Sequence, residues 1–320
     1  MSNMESDAAN AVSGGPNAAQ LTSPLDTVHP PAGDCQSNPG MTGRQILERY
    51  SFEVTCRGMS QVRESIRAIP PGTRVNITAL GRETYEDRVA AASDLIDLGL
   101  QPVAHIAARR VSSVSRFSDF MSRLADLGAS EDVFVIGGDA RDSEGPFGDA
   151  FSLIDSGILA DFGVRRVGVA VYPEGHPFID DGVLASDLAS KLGALRDQRL
   201  EAYAISQLCF DAQAVSRFVG PIIASGTLAD LRIGLPGPTT AKKLITYATQ
   251  FGVKSSIGIV RKYGLSLANL MSTAKPGRFI DDLAQTIRPN PATPTFLHFY
   301  PFGAVKNTID WIGETRMQRG

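Results

Sequence analysis

A chain of 320 residues, 43% of them hydrophobic, is long enough to bury a large core and to form one α/β domain. Its net charge of -3 and pI near 5.9 exclude a basic nucleic-acid binder and a protein held to anionic membranes. No apolar run nears the roughly 18 residues needed to cross a bilayer. The three cysteines, Cys35, Cys56 and Cys209, are far apart and form no C-x-x-C pair. A disulfide framework or a zinc site is therefore not expected, and a reducing cytoplasm fits best.

Residues 1–43 are rich in Ala, Gly, Ser, Pro and Asn, with no Lys or Arg before Arg44. Such a segment buries too little apolar surface to offset its ordering entropy, so a disordered extension is expected. It has neither the basic start and apolar centre of a signal peptide nor the arginines of a transit peptide. From residue 44 to residue 320, strand-like and helix-like runs alternate. The strand candidates are Tyr50–Thr55, Arg74–Ala79, Pro102–Ala107, Asp132–Ile136, Arg166–Val171, Ala202–Gln207, Pro221–Ser225 and Thr295–Tyr300. They are short, rich in β-branched residues and nearly continuous in apolar character, as buried parallel strands are. Between them lie amphipathic stretches such as Tyr85–Leu98, Arg116–Leu127 and Ser186–Leu195. Gly237-Pro238-Thr239-Thr240 suits a helix start, so Thr240–Phe251 is read as helical, with further helices over Val253–Arg288. Eight βα units over this length predict a (β/α)8 TIM barrel in a single domain. An open doubly wound sheet is the second choice, but no G-x-G-x-x-G follows the first strand and there is no Walker A sequence.

Barrel chemistry gathers at the C-terminal ends of the strands. Those ends read Glu53, Thr78, His105, Asp139, Tyr172 with Glu174 and His176, Gln207, and His298 with Tyr300. Two acids, histidines and an amide in one ring exceed what a scaffold needs. Each has a plainer alternative. Glu53 interrupts an apolar strand, where acids are seldom found unless paired or functional. Asp139 follows Gly137 and Gly138 and could be a turn cap, although the glycines also let a ligand approach the backbone. His105 alone reads as a satisfied core histidine, and His176 as a loop residue. The Arg109-Arg110 pair could clamp a phosphate or simply be solvated. Cys56 and Cys209 have no clear basic partner and read as packing residues.

Several strings together resemble the methylenetetrahydrofolate reductase family over roughly Tyr50 to Trp311. They are Ser51-Phe-Glu53, Ala104-His-Ile106, Gly138-Asp139, Ala170-Val-Tyr-Pro-Glu-Gly-His-Pro177, Ile205-Ser-Gln-Leu-Cys-Phe-Asp211 and His298-Phe-Tyr300. Glu53-Val-Thr, Gly237-Pro238 and Pro301-Phe-Gly-Ala-Val-Lys306 are similar to a short, divergent branch without a regulatory domain. The resemblance implies an oxidoreductase that interconverts 5,10-methylenetetrahydrofolate and 5-methyltetrahydrofolate by hydride transfer through FAD, with NADH or NADPH as the nicotinamide. It places Glu53 and Asp139 in catalysis and puts Glu53, Asp139, Gln207 and Tyr300 against the folate. It puts Thr78, His105, Arg109, Gly138, Asp139, Phe147, Ala170, Tyr172, His176 and Asp187 against the flavin. No metal is implied, and the expected partners are tetrahydrofolate derivatives, with a homo-oligomer compatible. The chain departs from the family at Ile136-Gly-Gly-Asp139, where an arginine is usual, and at Gly303-Ala304, where Asn-Arg is usual. Lys191 and Arg196 compete for the position of the helix lysine. These departures bear on the nicotinamide step and favour methyltetrahydrofolate oxidation with another acceptor. Two other readings stand beside this one. The first is a folate-binding barrel with weak or lost redox activity. The second is a glycosidase using Glu53 and Asp139, which requires about 5–9.5 Å between the carboxylates.

Overall fold

The computed structural model describes residues 42–318 except 81–82, 139, 141, 241, 244–245, 247–272 and 275. The expected tail, apart from its last two residues, lies outside that range. So do Asp139 and most of the expected Thr240–Phe251 helix. The helix α1 (Gly43–Leu47) leads into β1 (Tyr50–Val54), and its N-terminus is closed by a capping box between Thr42 and Gln45. There follow α2 (Met59–Ser65), β2 (Arg74–Ile77), α3 (Tyr85–Asp97), β3 (Gln101–Ala107), α4 (Val114–Asp126), β4 (Asp132–Ile136) and α5 (Ala150–Asp155). The next elements are β5 (Arg166–Val171), α6 (Asp181–Asp197), β6 (Glu201–Leu208), α7 (Ala212–Ser225) and β7 (Leu231–Pro236). A two-stranded ribbon, β8 (Thr239–Thr240) with β9 (Thr273–Ala274), precedes α8 (Gly277–Thr286), β10 (Thr295–Tyr300) and α9 (Val305–Gln318).

Eight strands close a barrel in the order β1-β10-β7-β6-β5-β4-β3-β2. Every pairing around the ring is parallel, as in β1 with β10 (Ser51 opposite His298) and β3 with β4 (His105 opposite Phe134). The chain is a (β/α)8 barrel. Phe52, Val75, Val133, Val167, Leu231 and Phe299 face outward into the apolar layer shared with the helices. The opposite faces of the strands fill the interior, where Val103, Phe134, Tyr203 and Ile205 form a separate apolar plug. This alternation explains why the strands read as near-continuous apolar runs broken at fixed places by polar residues.

Gly168 on β5 is required by that plug. A Cβ there would lie 2.4 Å from the Tyr203 ring and 2.7 Å from Phe134. Gly168→Ala is expected to destabilise the fold by about 1–3 kcal/mol, the usual cost of overpacking. The check is a lower urea midpoint at unchanged m-value.

One strand lies elsewhere than the sequence suggested. Pro221–Ser225 forms the last turns of α7, with Pro221 inside the helix. The seventh strand is Leu231–Pro236, whose second residue, Arg232, and Gly234 hide its β pattern. The segment after the seventh strand therefore lies later in the chain than the sequence suggested. It begins at Gly237-Pro238, directly after Pro236, and so is rich in proline.

Candidate active site

The C-terminal ends of the strands bring together most of the residues singled out above. Glu53, on the inner face of β1, makes no hydrogen bond or ion pair among the described residues. Surrounding protein raises its pKa from 4.5 to about 8 by desolvation alone. A carboxyl in this state holds a proton at neutral pH and has no built-in partner to which it could lose it. Tyr300, at the end of β10, donates its hydroxyl to the Ser206 carbonyl at 2.9 Å. Its ring lies across Gly234, where a Cβ would approach to 2.6 Å. Burial raises the Tyr300 pKa well above its ordinary value, and Glu53, Cys209 and Tyr172 each add to the rise. The phenol is thus a neutral donor standing between Glu53 and the β5 end.

Gln207 sits where the register between β6 and β7 shifts, and its side-chain oxygen accepts from Leu208 N at 2.9 Å. That bond fixes the amide plane at the mouth. The β5 and β6 ends are tied together by Glu174, whose Oε1 accepts from the backbone N–H groups of Phe210 and Asp211. Asp211 in turn caps α7 through Gln213 N and Ala214 N. The two most specific strings of the sequence, Tyr172-Pro-Glu-Gly-His-Pro177 and Gln207-Leu-Cys-Phe-Asp211, are therefore one hydrogen-bonded unit. Removing the acceptor in Glu174→Ala leaves two backbone donors without it and is expected to cost about 2–4 kcal/mol of stability, at roughly 1–3 per donor with some recovery by water. Thermal unfolding of this variant beside Glu174→Gln, which keeps one acceptor oxygen and should lose less, tests the brace.

The ends of β3, β4 and β5 make a wall of different character. Arg109 follows β3 and donates Nη2 to the Gly138 carbonyl. A Cβ on Gly137 would sit 3.5 Å from that same nitrogen. The Arg109 Nε is buried without a hydrogen-bond partner among the described residues, as is the Thr78 hydroxyl at the β2 end. Gly138 has φ +88, which a residue with a side chain rarely adopts. Tyr172 and His176 meet edge to face with centroids 5.1 Å apart. Burial raises the Tyr172 pKa, Asp187 adds to the rise, and Arg109 opposes it. Burial also lowers the His176 pKa. Lys191 is buried in an ion pair with Asp187, whereas Arg196 is exposed and turned to Asp197. Of the two candidate cations on α6, Lys191 is the one at the wall.

Other expected residues lie deeper. His105 is buried, and its Nε2 pairs with Asn76 Nδ2 at 3.0 Å. Because an amide nitrogen only donates, Nε2 accepts and the ring is neutral. Burial, with Arg88 nearby, lowers its pKa to about 3. His298 is likewise buried against the Ser51 hydroxyl, 2.8 Å away, with its pKa pushed well down. These two rings form a neutral polar layer beneath the mouth. Ala170 packs on the interior plug and Phe147 belongs to the outer core. Burial raises the Cys56 thiol to about 12 and the buried Cys209 higher still. Asn76, Ser51 and Arg88 were not anticipated. The first two stand one strand from the histidines they satisfy, a pairing that no local pattern displays.

Among the described residues, no group of three or more His, Cys, Asp or Glu is placed to hold a metal, and no helix is long and apolar enough to cross a membrane. No family model matches the chain. Similar solved structures include dihydropteroate synthase from Thermus thermophilus, at 14% identity and TM-score 0.46 over 87% of this chain and 99% of that one. A GH18 chitinase from Pseudoalteromonas aurantia matches at 9% identity and TM-score 0.46, over 84% of this chain and all of the other. A β-glucosidase from Thermotoga maritima matches at 7% identity and TM-score 0.40, over 83% and 88% of the two chains.

Proposed function

We propose that the chain is a flavin-dependent oxidoreductase of the methylenetetrahydrofolate reductase type, interconverting 5,10-methylenetetrahydrofolate and 5-methyltetrahydrofolate. The observation that carries this reading is the placement of an unpaired carboxyl, Glu53, with a pKa near 8, in a mouth whose other wall is cationic and aromatic. The residues of that wall fit FAD. Arg109 and Thr78 hold buried polar atoms without protein partners among the described residues, and Gly137 and Gly138 carry no side chain to block a close approach. The guanidinium of Arg109 stands against Gly137, the position where the family usually carries arginine, so β3 supplies the cation that the fourth strand end lacks. Lys191, Tyr172 and His176 complete the wall. When bound, FAD supplies the hydride-transfer chemistry.

The chain's own residues do the rest. Glu53 delivers one proton to a folate nitrogen as the one-carbon bridge opens, and takes it back in the reverse direction. Gln207 offers a fixed amide edge to the pterin, and Tyr300 offers a neutral phenol that cannot compete for the Glu53 proton. His105 and His298 stay neutral and carry no proton in the reaction.

The test is an absorption spectrum of the purified protein followed by anaerobic titration with 5-methyltetrahydrofolate. A bound flavin that bleaches on titration is the expected result, and parallel titrations with NADH and NADPH identify the second electron partner. The absence of an arginine from Ile136-Gly-Gly138 favours a second reading, a folate-binding barrel without redox activity. A colourless protein that binds folate and cannot be reconstituted with FAD decides for that reading.

A further inference from the structure

The N-terminal mouth of the barrel, at the end opposite Glu53, holds a cavity of about 320 Å3. Its wall carries Arg49, Arg74, Arg166 and Arg232 against two carboxylates, Asp230 and Glu48. Asp230 binds three of the arginines, Arg74 at 3.3 Å, Arg166 at 2.6 Å and Arg232 at 2.9 Å. Asp132 and Glu201 add 3.1 and 2.8 Å contacts to Arg74 and Arg166 from outside the cavity wall. Two guanidiniums keep donors that no carboxylate takes among the described residues. Arg232 is only 7% exposed and gives Asp230 its Nε, while its terminal nitrogens have no protein acceptor among the described residues. Arg49 has no ion pair among the described residues and lies 4.7 Å over the Phe296 ring, the ring that Arg232 also approaches at 5.4 Å.

The carboxylates offset the charge but not every donor, and burial of Arg232 makes an unmet donor there costly. Guanidiniums of the β1 entrance (Arg49), β2 (Arg74) and β7 (Arg232) all line the cavity, and a tetrahedral oxyanion accepts from more directions than a flat carboxylate. We propose that this cavity binds a phosphate dianion, free or as a small phosphomonoester, between Arg49 and Arg232 with Arg74 behind it. None of the candidate active-site residues lines this cavity, so its ligand acts on stability through binding linkage rather than on the chemistry.

The experiment measures the thermal unfolding midpoint of the full chain against inorganic phosphate, glycerol phosphate, succinate and chloride at constant ionic strength. A saturable rise with inorganic phosphate or glycerol phosphate, absent with chloride and succinate, is expected; whichever phosphate binds more tightly identifies the source. Arg49→Ala should unfold close to the wild-type temperature without phosphate, because Arg49 is exposed and has no ion pair among the described residues, only its contact with the Phe296 ring. Its phosphate affinity should fall about tenfold, the effect of losing one charge-assisted hydrogen bond. Arg49→Glu should lose the response altogether. No response of the wild type to millimolar phosphate, an equal response in the Arg49 variants, or an equal response to succinate would overturn the assignment.

Discussion

Glu53→Gln is expected, on the proposed reaction, to lose about two to four orders of magnitude in turnover with 5-methyltetrahydrofolate, with flavin and folate binding unchanged. Glutamine preserves the shape and a donor but cannot release a proton, so only the transfer step is removed. The same substitution has a stability signature that does not depend on the reaction. The Glu53 pKa is about 8 in the fold against 4.5 as the ordinary value. Between those values the folded state binds more protons than the unfolded state, so stability falls as pH rises. The contribution is fully present below pH 4.5 and lost once pH passes 8. Glutamine resembles the protonated acid at every pH and has no such loss. Relative to wild type, Glu53→Gln should therefore gain stability between pH 5 and pH 8, by an amount on the order of 2–4 kcal/mol. Urea unfolding of both proteins at a series of pH values measures it. Parallel pH dependence in the two would show that the carboxyl is solvated and ionised, and the proton-transfer role would fall with it.

Turnover retained in Glu53→Gln alongside the expected stability gain would separate the two roles. The carboxyl would then be buried and neutral without serving the reaction, and the proton would have to come from elsewhere in the mouth. Tyr300 is a poor substitute, since burial and Glu53 hold its hydroxyl protonated far above neutral pH. His105 is excluded by its pKa near 3, which leaves it without a proton to give at neutral pH.

The sequence made the barrel legible because seven of its eight strands announce themselves as short, largely apolar runs. The seventh strand escaped for a physical reason. Its inner face carries Arg232, whose charge is balanced by Asp230 two residues earlier and by contacts with other strands. Pro221-Ile-Ile-Ala imitated a strand because an amphipathic helix with a proline in its last turns shows the same short apolar run. At the mouth, the strand ends named Glu53, Tyr172, His176, Gln207 and Tyr300, all of which lie at or just beyond the C-terminal ends of β1, β5, β6 and β10. Local pattern could not separate Lys191 from Arg196, because both lie on α6 and only the distance to Asp187 decides. It also could not show Glu174 as a bracket between β5 and β6. Its acceptors are satisfied by backbone N–H groups 36 and 37 residues away, which every residue but proline carries. The charged layer at the opposite end was invisible for a related reason. Arg74, Arg166, Arg232, Asp132 and Asp230 come from separate strands or the loops before them, and each looks alone like a solvated strand edge.

That layer supports the second large effect. Asp230→Ala is expected to destabilise the protein by about 3–5 kcal/mol, the cost of stripping the counter-ion from a buried charge cluster. Asp230 is 4% exposed and accepts from Arg74, Arg166 and Arg232. Without it, three guanidiniums remain around the Tyr203 ring, at 5.5, 5.5 and 5.9 Å from its centroid, with Asp132 and Glu201 still beside Arg74 and Arg166. Hydrophobic loss is small, since an aspartate contributes little apolar area, so a drop of this size has to be electrostatic. A double variant separates the two origins. Arg232→Met removes the most buried of the three cations and keeps its volume. Combined with Asp230→Ala it should recover part of the loss, giving a non-additive cycle with a coupling of about 1–3 kcal/mol. Additive losses in the two single variants would mean that Asp230 acts by anchoring the loop before β7. The barrel floor would then be held by packing on Phe296 and Tyr203 rather than by charge.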